Sequence, residues 1–248
     1  MPANTLAIIL ARGGSQGLPR KNALEVAGKP MLAWTLEHAL NSASLDHVAL
    51  STDDDELADI ARSYDVQVIK RTPELASDTA PVDAAARHAV ASIVGFHQNI
   101  VLLYGNVPVR PIDLTERAVR KLRDSGADSV QSVCPVGKAH PYWMKSLTGP
   151  DIDTLEPIAD NTVYRRQDLP PVYLLDGGVI AVKRESLFTI DDEHPHAFLG
   201  QTRRAITTEP GEVVDVDSET DRLVAEAILS KHLNDIGDHN TSPIRVTA

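Results

Sequence analysis

The chain has a single cysteine, Cys134, in 248 residues. One thiol cannot close an intrachain disulfide or supply a metal-binding pair, so a reducing compartment is expected. An excess of positive charge is missing too: the formal net charge is −11. That balance argues against nucleic acid or an anionic membrane surface as the main partner. No window approaches the ~18 consecutive apolar residues of a membrane-spanning helix. The first residues, MPANTLAIIL, lack the basic region, long apolar segment and cleavage site of a signal peptide. A cytoplasmic protein is expected. The nine histidines show no HxxH-like spacing and point to no metal centre. There is no internal repeat.

What is present is a rhythm. Apolar, β-rich runs (Thr5 to Ala11, His47 to Ser51, Val66 to Ile69, Asn99 to Tyr104, Asp128 to Val133) alternate with helical patterns (Pro30 to Ala43, Asp53 to Asp65, Asp83 to Val94, Leu114 to Asp124). Such alternation predicts an α/β fold, a largely parallel sheet flanked by helices on both faces. The rhythm breaks from Pro135 to Pro171, a stretch rich in Pro, aromatic and polar residues. It resumes at DGGVIAVKRESL, a strand followed by a short helix, then VVDVD as a late strand and Glu219 to His232 as the last helix. One domain is expected over residues 1–235, with 236–248 as a flexible C-terminal tail. Cys134 reads as a small buried residue at a strand end.

The first strand runs into LARGGSQGLPRKN, Leu10 to Asn22. In open α/β sheets ligands sit at the carboxyl ends of strands. A glycine-rich turn there exposes backbone N–H groups that can cradle phosphate oxygens. Gly13, Gly14 and Gly17 supply the turn, Ser15 a further donor, and Arg12 and Lys21 mobile positive charge. The GK[ST] ending of a P-loop is missing and GxGxxG is incomplete, so cations beside the turn suit a triphosphate better than a dinucleotide. The plainer reading is a glycine-rich surface loop with scattered charge.

ILARGGSQGLPRKN resembles the signature loop ARxGSKGxPxKN of the sugar-acid cytidylyltransferases, the acylneuraminate or CMP-sialic acid synthetase type, with Gln16 at the usual lysine. LSTDDDELADIA resembles the family's STD turn. KRTPELASDTAP resembles its R-P-x-x-LA-x-D loop, and LLYGNVPVRP falls where the family has LLQPTSPLR. YRRQDLPPVYLLDGG resembles R-Q-x-LP-x-x-F-R-x-NG, and DVDSETDRLVAEAIL the closing ID-x-x-x-D segment. The resemblance implies a Rossmann-like nucleotide-diphospho-sugar transferase fold. It also implies a homodimer, in which 138–173, with its Pro141-Tyr142-Trp143-Met144 cluster, is a dimerisation and sugar-site excursion. The reaction implied is transfer of CMP from CTP to the anomeric hydroxyl of a 2-keto-3-deoxy, nonulosonic or sialic-like sugar acid, releasing pyrophosphate and feeding surface-glycan synthesis.

By that resemblance Ala11, Arg12, Gly13, Gly14, Ser15, Lys21 and Asn22 hold the triphosphate, while Arg71, Ala76, Ser77 and Thr79 recognise cytosine and ribose. Arg12, Lys21 and Asp217 are the catalytic set. Asp215 and Asp217, two apart and on one side of an extended segment, hold Mg²⁺, which favours carboxylates and retained water. Asp217 or Ser218 as a helix cap is the plainer reading there, and Asp53 to Asp55 is a rival carboxylate group better suited to opening a helix. Tyr104, Asn106, Arg110, Arg166 and Asp176 meet the sugar, with Arg110 as a loop anchor the alternative. Leu174 and Asp176 depart from the arginine and asparagine of sialic-acid enzymes, and Tyr104 from their glutamine, so a different sugar or a sugar phosphate is the nearest rival. A non-catalytic nucleotide-binding relative and a nicotinamide-dependent oxidoreductase are the rivals from other classes.

Overall fold

The computed structural model describes residues 4–240 except Gln16. Thr5–Leu10 (β1) is buried at every position. Successive side chains on a strand point to opposite faces. Leu6, Ile8 and Leu10 therefore join one apolar layer, and Ala7 and Ile9 the other. The other strands of the main sheet are His47–Thr52 (β2), Gln67–Lys70 (β3), Asn99–Tyr104 (β4), Ser129–Pro135 (β5), Tyr173–Lys183 (β6) and Arg203–Thr207 (β7). They form one sheet in the order β7-β5-β6-β4-β1-β2-β3. Only β6 runs against the rest. Its first residues, Tyr173 onward, consequently lie beside the carboxyl ends of its neighbours.

Met31–Leu40 (α1), Asp55–Ser63 (α2) and Leu114–Ser125 (α4) cover the Ala7/Ile9 face through Leu32, Leu36, Leu57 and Leu114. Val82–Ala91 (α3) covers the other through its alanine stripe Ala85, Ala86 and Ala89. Each fully buried Leu or Ile of these layers contributes about 1.5–3 kcal/mol over an exposed one. A third cluster, including Val26, Met31, Val214, Val216 and Ala225, packs Glu219–Asn240 (α5) beside the first glycine-rich turn. Among the described residues no helix is long and apolar enough to cross a membrane.

Four expectations need correction. VVDVD is not a strand: it makes only single bridges, Val214 with Val109 and Val213 with Pro210. Its alternating valines face the α5 cluster instead of a ladder. The edge strand β7, with arginines at its first two positions, was not anticipated from the pattern. The last helix reaches Asn240, past His232 and into the expected tail; residues 241–248 lie outside the described residues. Cys134 is only half-buried. The irregular stretch contains a small hairpin, Lys145–Thr148 with Thr154–Pro157.

Candidate active site

Three segments leave the sheet at the same end: the glycine-rich turn after β1, Asp53 and Asp54 after β2, and Gly105 and Asn106 after β4. A fourth, Asp215 to Asp217, is brought alongside by Val216 N–H, which donates to the Asn106 carbonyl at 2.9 Å. Gly17 fits because a Cβ there would lie 2.5 Å from the Asp217 carbonyl oxygen. The turn and the acidic segment thus touch backbone to backbone. Gly105 is equally confined, between the Ala11 Cβ and the Asn22 side chain. Asn22, itself buried, donates to the Arg12 carbonyl at 2.9 Å and shapes the turn.

Beneath them is a cavity of about 250 Å³ whose polar lining includes Arg12, Lys21, Asn22, Arg71, Tyr104 and Asn106. Five of the expected nucleotide residues, Arg12, Lys21, Asn22, Arg71 and Ser77, and two of the expected acceptor residues, Tyr104 and Asn106, therefore share one space, while Ala11, Gly13, Gly14, Ser15, Ala76 and Thr79 are not in its lining. Their cationic and N–H groups are engaged by the chain's own carboxylates. The Gly13 N–H donates to Asp53 (3.1 Å), Arg12 pairs with Asp78 (2.6 Å) and Lys21 with Asp217 (2.5 Å). Arg12 also donates to the Ser77 carbonyl at 3.2 Å, which ties the turn to the 76–79 loop. Arg71 donates to the Ser51 hydroxyl and carbonyl, and burial lowers its pKa to about 10. Ala76 ends the single turn Pro73–Ala76, and Thr79 is exposed beyond it.

Asp54 caps α2 by accepting the Leu57 N–H at 3.0 Å, and Asp55 pairs with Lys70. That part of the acidic run opens a helix, whereas Asp53 holds the turn. α5 is capped without Asp217. Ser218 and Asp221 exchange bonds in a capping box, with Asp221 accepting the Ser218 N–H at 2.8 Å. Asp217 stays exposed and reaches Lys21. Asp215 is half-buried and accepts from the Asn106 amide. Burial first, then the Asp217 charge, pushes its pKa up to about 6 against the pull of Lys21 and Arg110. Burial and the Asp215 charge raise Tyr104 as well.

Two residues expected on the acceptor serve the scaffold. The Arg110 guanidinium donates to the carbonyls of Gly178 (2.7 Å), Tyr104 (2.8 Å) and Val107 and to the Thr35 hydroxyl (2.9 Å). Burial lowers its pKa to about 9. It is the loop anchor. Asp176 accepts from the Ser132 hydroxyl, the Gly178 N–H (2.9 Å) and the Thr208 hydroxyl (2.6 Å), pinning the bulge where β6 shifts register. Arg166 lies apart on the exposed excursion and has no ion-pair partner among the described residues. Sequence reasoning missed Ser51, Asp53 and Asp78 as the groups that hold Arg71, Gly13 and Arg12; the STD turn was the signal for the first two and the aspartate of the R-P-x-x-LA-x-D loop for the third.

A family model described as "Cytidylyltransferase" matches residues 6–189. The chain belongs to the cytidylyltransferase family. The matched stretch takes in the glycine-rich turn, Arg71, Asn106 and Arg166, and stops before Asp215 and Asp217. The chain is 28% identical over 233 residues to the CMP-N,N'-diacetyllegionaminic acid synthase of Legionella pneumophila, covering 90% of this chain and 95% of that one. It is 30% identical over 226 residues to the N-acylneuraminate cytidylyltransferase A of Danio rerio, covering 89% of this chain and 49% of that one. The chain thus spans nearly all of the first relative and about half of the second. A solved CMP:2-keto-3-deoxy-manno-octonic acid synthetase complexed with CTP superposes with a TM-score of 0.69 over 92% of this chain and 99% of that one. At 18% identity that likeness shows the fold.

Proposed function

We propose that this cytidylyltransferase transfers CMP from CTP to the anomeric hydroxyl of a 2-keto-3-deoxy sugar acid of the nonulosonic class, with Mg²⁺, in surface-glycan synthesis. One observation carries the reading: Arg12, Lys21, Asn22 and Arg71 converge on one cavity, two of whose lining residues, Lys21 and Asn106, contact Asp217 and Asp215. The positive groups each hold one of the chain's own carboxylates or sit beside one, which is the charge a triphosphate would bring in their place. The names of the relatives, a diacetyllegionaminic acid synthase and an acylneuraminate cytidylyltransferase, supply the acceptor class.

In this reading the turn from Ala11 to Ser15 orients the polyphosphate. Arg12 and Lys21 neutralise the oxygens of the departing pyrophosphate as the new sugar O–P bond forms and the α–β phosphate bond breaks. Transfer of this kind rests on alignment and charge stabilisation. The two carboxylates suit Mg²⁺, which takes one or two such ligands and completes its shell with water and phosphate oxygens. Burial first, and then the Asp217 charge, raise the Asp215 pKa, and a divalent cation at the pair would favour the charged carboxylate. When bound, the ion supplies Lewis-acid polarisation of a phosphoryl oxygen. Arg71 and the 76–79 loop then face base and ribose.

The homodimer belongs to the same proposal. The excursion exposes Leu147, Leu155, Ile158 and Tyr164, and the start of β6 exposes Leu174, at 56–93% of their full surface. Trp143, by contrast, is tied down locally by its bond to the Val163 carbonyl at 3.3 Å. A second copy covering that face would bring the unpaired Arg166 of one protomer toward the other's site. Sedimentation at micromolar concentration should give twice the chain mass; a monomer mass removes this part. The function itself is tested by incubating the protein with CTP, Mg²⁺ and a panel of 2-keto-3-deoxy acids. Pyrophosphate release with at least one acid is expected, and none with any acid, in a protein that still binds CTP, contradicts the acceptor assignment.

A further inference from the structure

The end of the sheet opposite the triphosphate cavity carries a recess of its own. β6 finishes at Lys183 beside Asn99, the first residue of β4, so this is the amino end of the parallel strands. It lies the length of β4 from Tyr104, roughly 15–20 Å at about 3.3 Å per residue. The recess has a volume of about 480 Å³ and is lined by Phe96, Gln98, Lys183, Arg184, Glu185 and Phe188. Small-ligand sites occupy about 300–1,000 Å³, so its size fits one.

Arg184 is the centre of the recess. Its backbone N–H donates to the Gln98 carbonyl at 2.9 Å, where the chain leaves β6 for the turn Arg184–Leu187. Its guanidinium carbon lies 4.7 Å from the ring centroid of Phe188 and 5.7 Å from that of Phe96. The two rings attract the cation through their π faces but offer no oxygen to its five N–H donors. Among the described residues the side chain makes no hydrogen bond and no ion pair, and its Nη1 is buried without an acceptor. A buried donor left unpaired costs free energy. Arg71 and Arg110 are not left this way, since both spend their donors on carbonyls and hydroxyls.

The charge of the recess narrows what would fill it. Lys183 is committed to the Gly126 carbonyl (2.8 Å) and to Asp128 (3.4 Å). Glu185 adds a carboxylate to the lining. One uncommitted guanidinium therefore stands between two aromatic rings and beside an anionic side chain. A polyphosphate would be repelled by Glu185 and find a single cation. A lone carboxylate on an aromatic body matches both parts: the planar fork takes the carboxylate, and the ring lies against Phe96 and Phe188.

We propose that this recess is a second binding site, separate from the catalytic one, for a small aromatic carboxylate, with Arg184 receiving the carboxylate and Phe96 and Phe188 the ring. The site does not depend on the sugar-acid reading. Its test is a titration of the full chain, followed through assigned backbone amide shifts, with 3-phenylpropanoate, the neutral 3-phenylpropanol, inorganic phosphate and a peptide ending in phenylalanine. The acid should shift Gln98 and the Arg184–Phe188 amides saturably. It should bind about tenfold or more tightly than the alcohol, the weight of one charge-assisted contact. Inorganic phosphate should leave these amides unmoved. Arg184→Gln should bring the acid down to the alcohol's affinity, and Phe96→Ala should weaken acid and alcohol alike. Arg184→Lys, which keeps the charge without the planar fork, replaces the glutamine variant if that one does not fold, and should still bind the acid less tightly than the parent. No saturable shift with the acid, equal affinity for acid and alcohol, or an Arg184 variant that binds the acid like the parent overturns the proposal. Phosphate binding as tightly as the acid overturns it too. So does binding of the peptide without the small acid, which would assign the recess to a protein partner.

Discussion

Asp215→Asn should abolish most turnover while making the protein more stable above pH 6. The side chain is half-buried, and burial with the neighbouring Asp217 charge raises its pKa from 3.8 to about 6. The folded state therefore binds a proton more tightly than the unfolded chain does. Stability from that proton is complete below 3.8 and is lost as pH rises through about 6. Asparagine removes the buried charge but keeps an oxygen to accept from the Asn106 amide. At pH 8 in metal-free buffer the variant should gain on the order of 2 kcal/mol, allowing for the solvent that reaches the site. The gain should shrink as pH falls from 6 toward 4. Turnover with CTP and Mg²⁺ should fall by on the order of 10²-fold or more, as for loss of a metal-holding group. Asp217→Asn should lose turnover without the stability gain, because its carboxylate is exposed and already paired with Lys21. A variant less stable than the parent at pH 8 would contradict the buried-charge account of Asp215, and unchanged turnover would contradict its metal-holding role.

The second large effect concerns Arg110. Its donors hold three backbone carbonyls and the Thr35 hydroxyl, joining β4, the loop after it, α1 and β6. Arg110→Ala strands these buried acceptors and should lower the unfolding free energy by about 3–5 kcal/mol, measured by urea denaturation at unchanged m. Arg110→Lys should recover little of it, since an ammonium cannot reproduce the planar fork. If Arg110 instead met the acceptor, the loss would appear in the acceptor KM with the denaturation midpoint unmoved.

This pair of residues shows where the sequence is legible and where it stops. β1 and β4 were readable because each is a short apolar run bounded by Gly, Pro or Asn, and both faces of the sheet are covered. The glycine-rich turn was readable because few backbones need three glycines and two cations at a strand end. Arg110 and Asp176 look like ligand groups in sequence, since charge in a loop after a strand is common to sites and to anchors. Only the positions of the Gly178 and Tyr104 carbonyls and the Thr208 hydroxyl decide the matter. VVDVD carries the alternation of a strand, yet what its valines meet is α5, a contact between distant segments. β7 hid behind its charges. Arg117 and Lys121 of α4 donate to its Thr207 and Ala205 carbonyls, satisfying an edge that has no neighbouring strand.

The central claim is that the turn from Leu10 to Asn22 grips the polyphosphate of CTP opposite a divalent cation held at Asp215 and Asp217. Calorimetric titration of the protein with CTP in the presence of Mg²⁺ probes it most directly, with Lys21→Ala titrated alongside. Saturable heat is expected for the parent, weakened at least tenfold in the variant by loss of a charge-assisted contact worth about 1.5–3 kcal/mol. No heat from the parent, or identical affinity in both proteins, would mean that this turn does not bind the triphosphate.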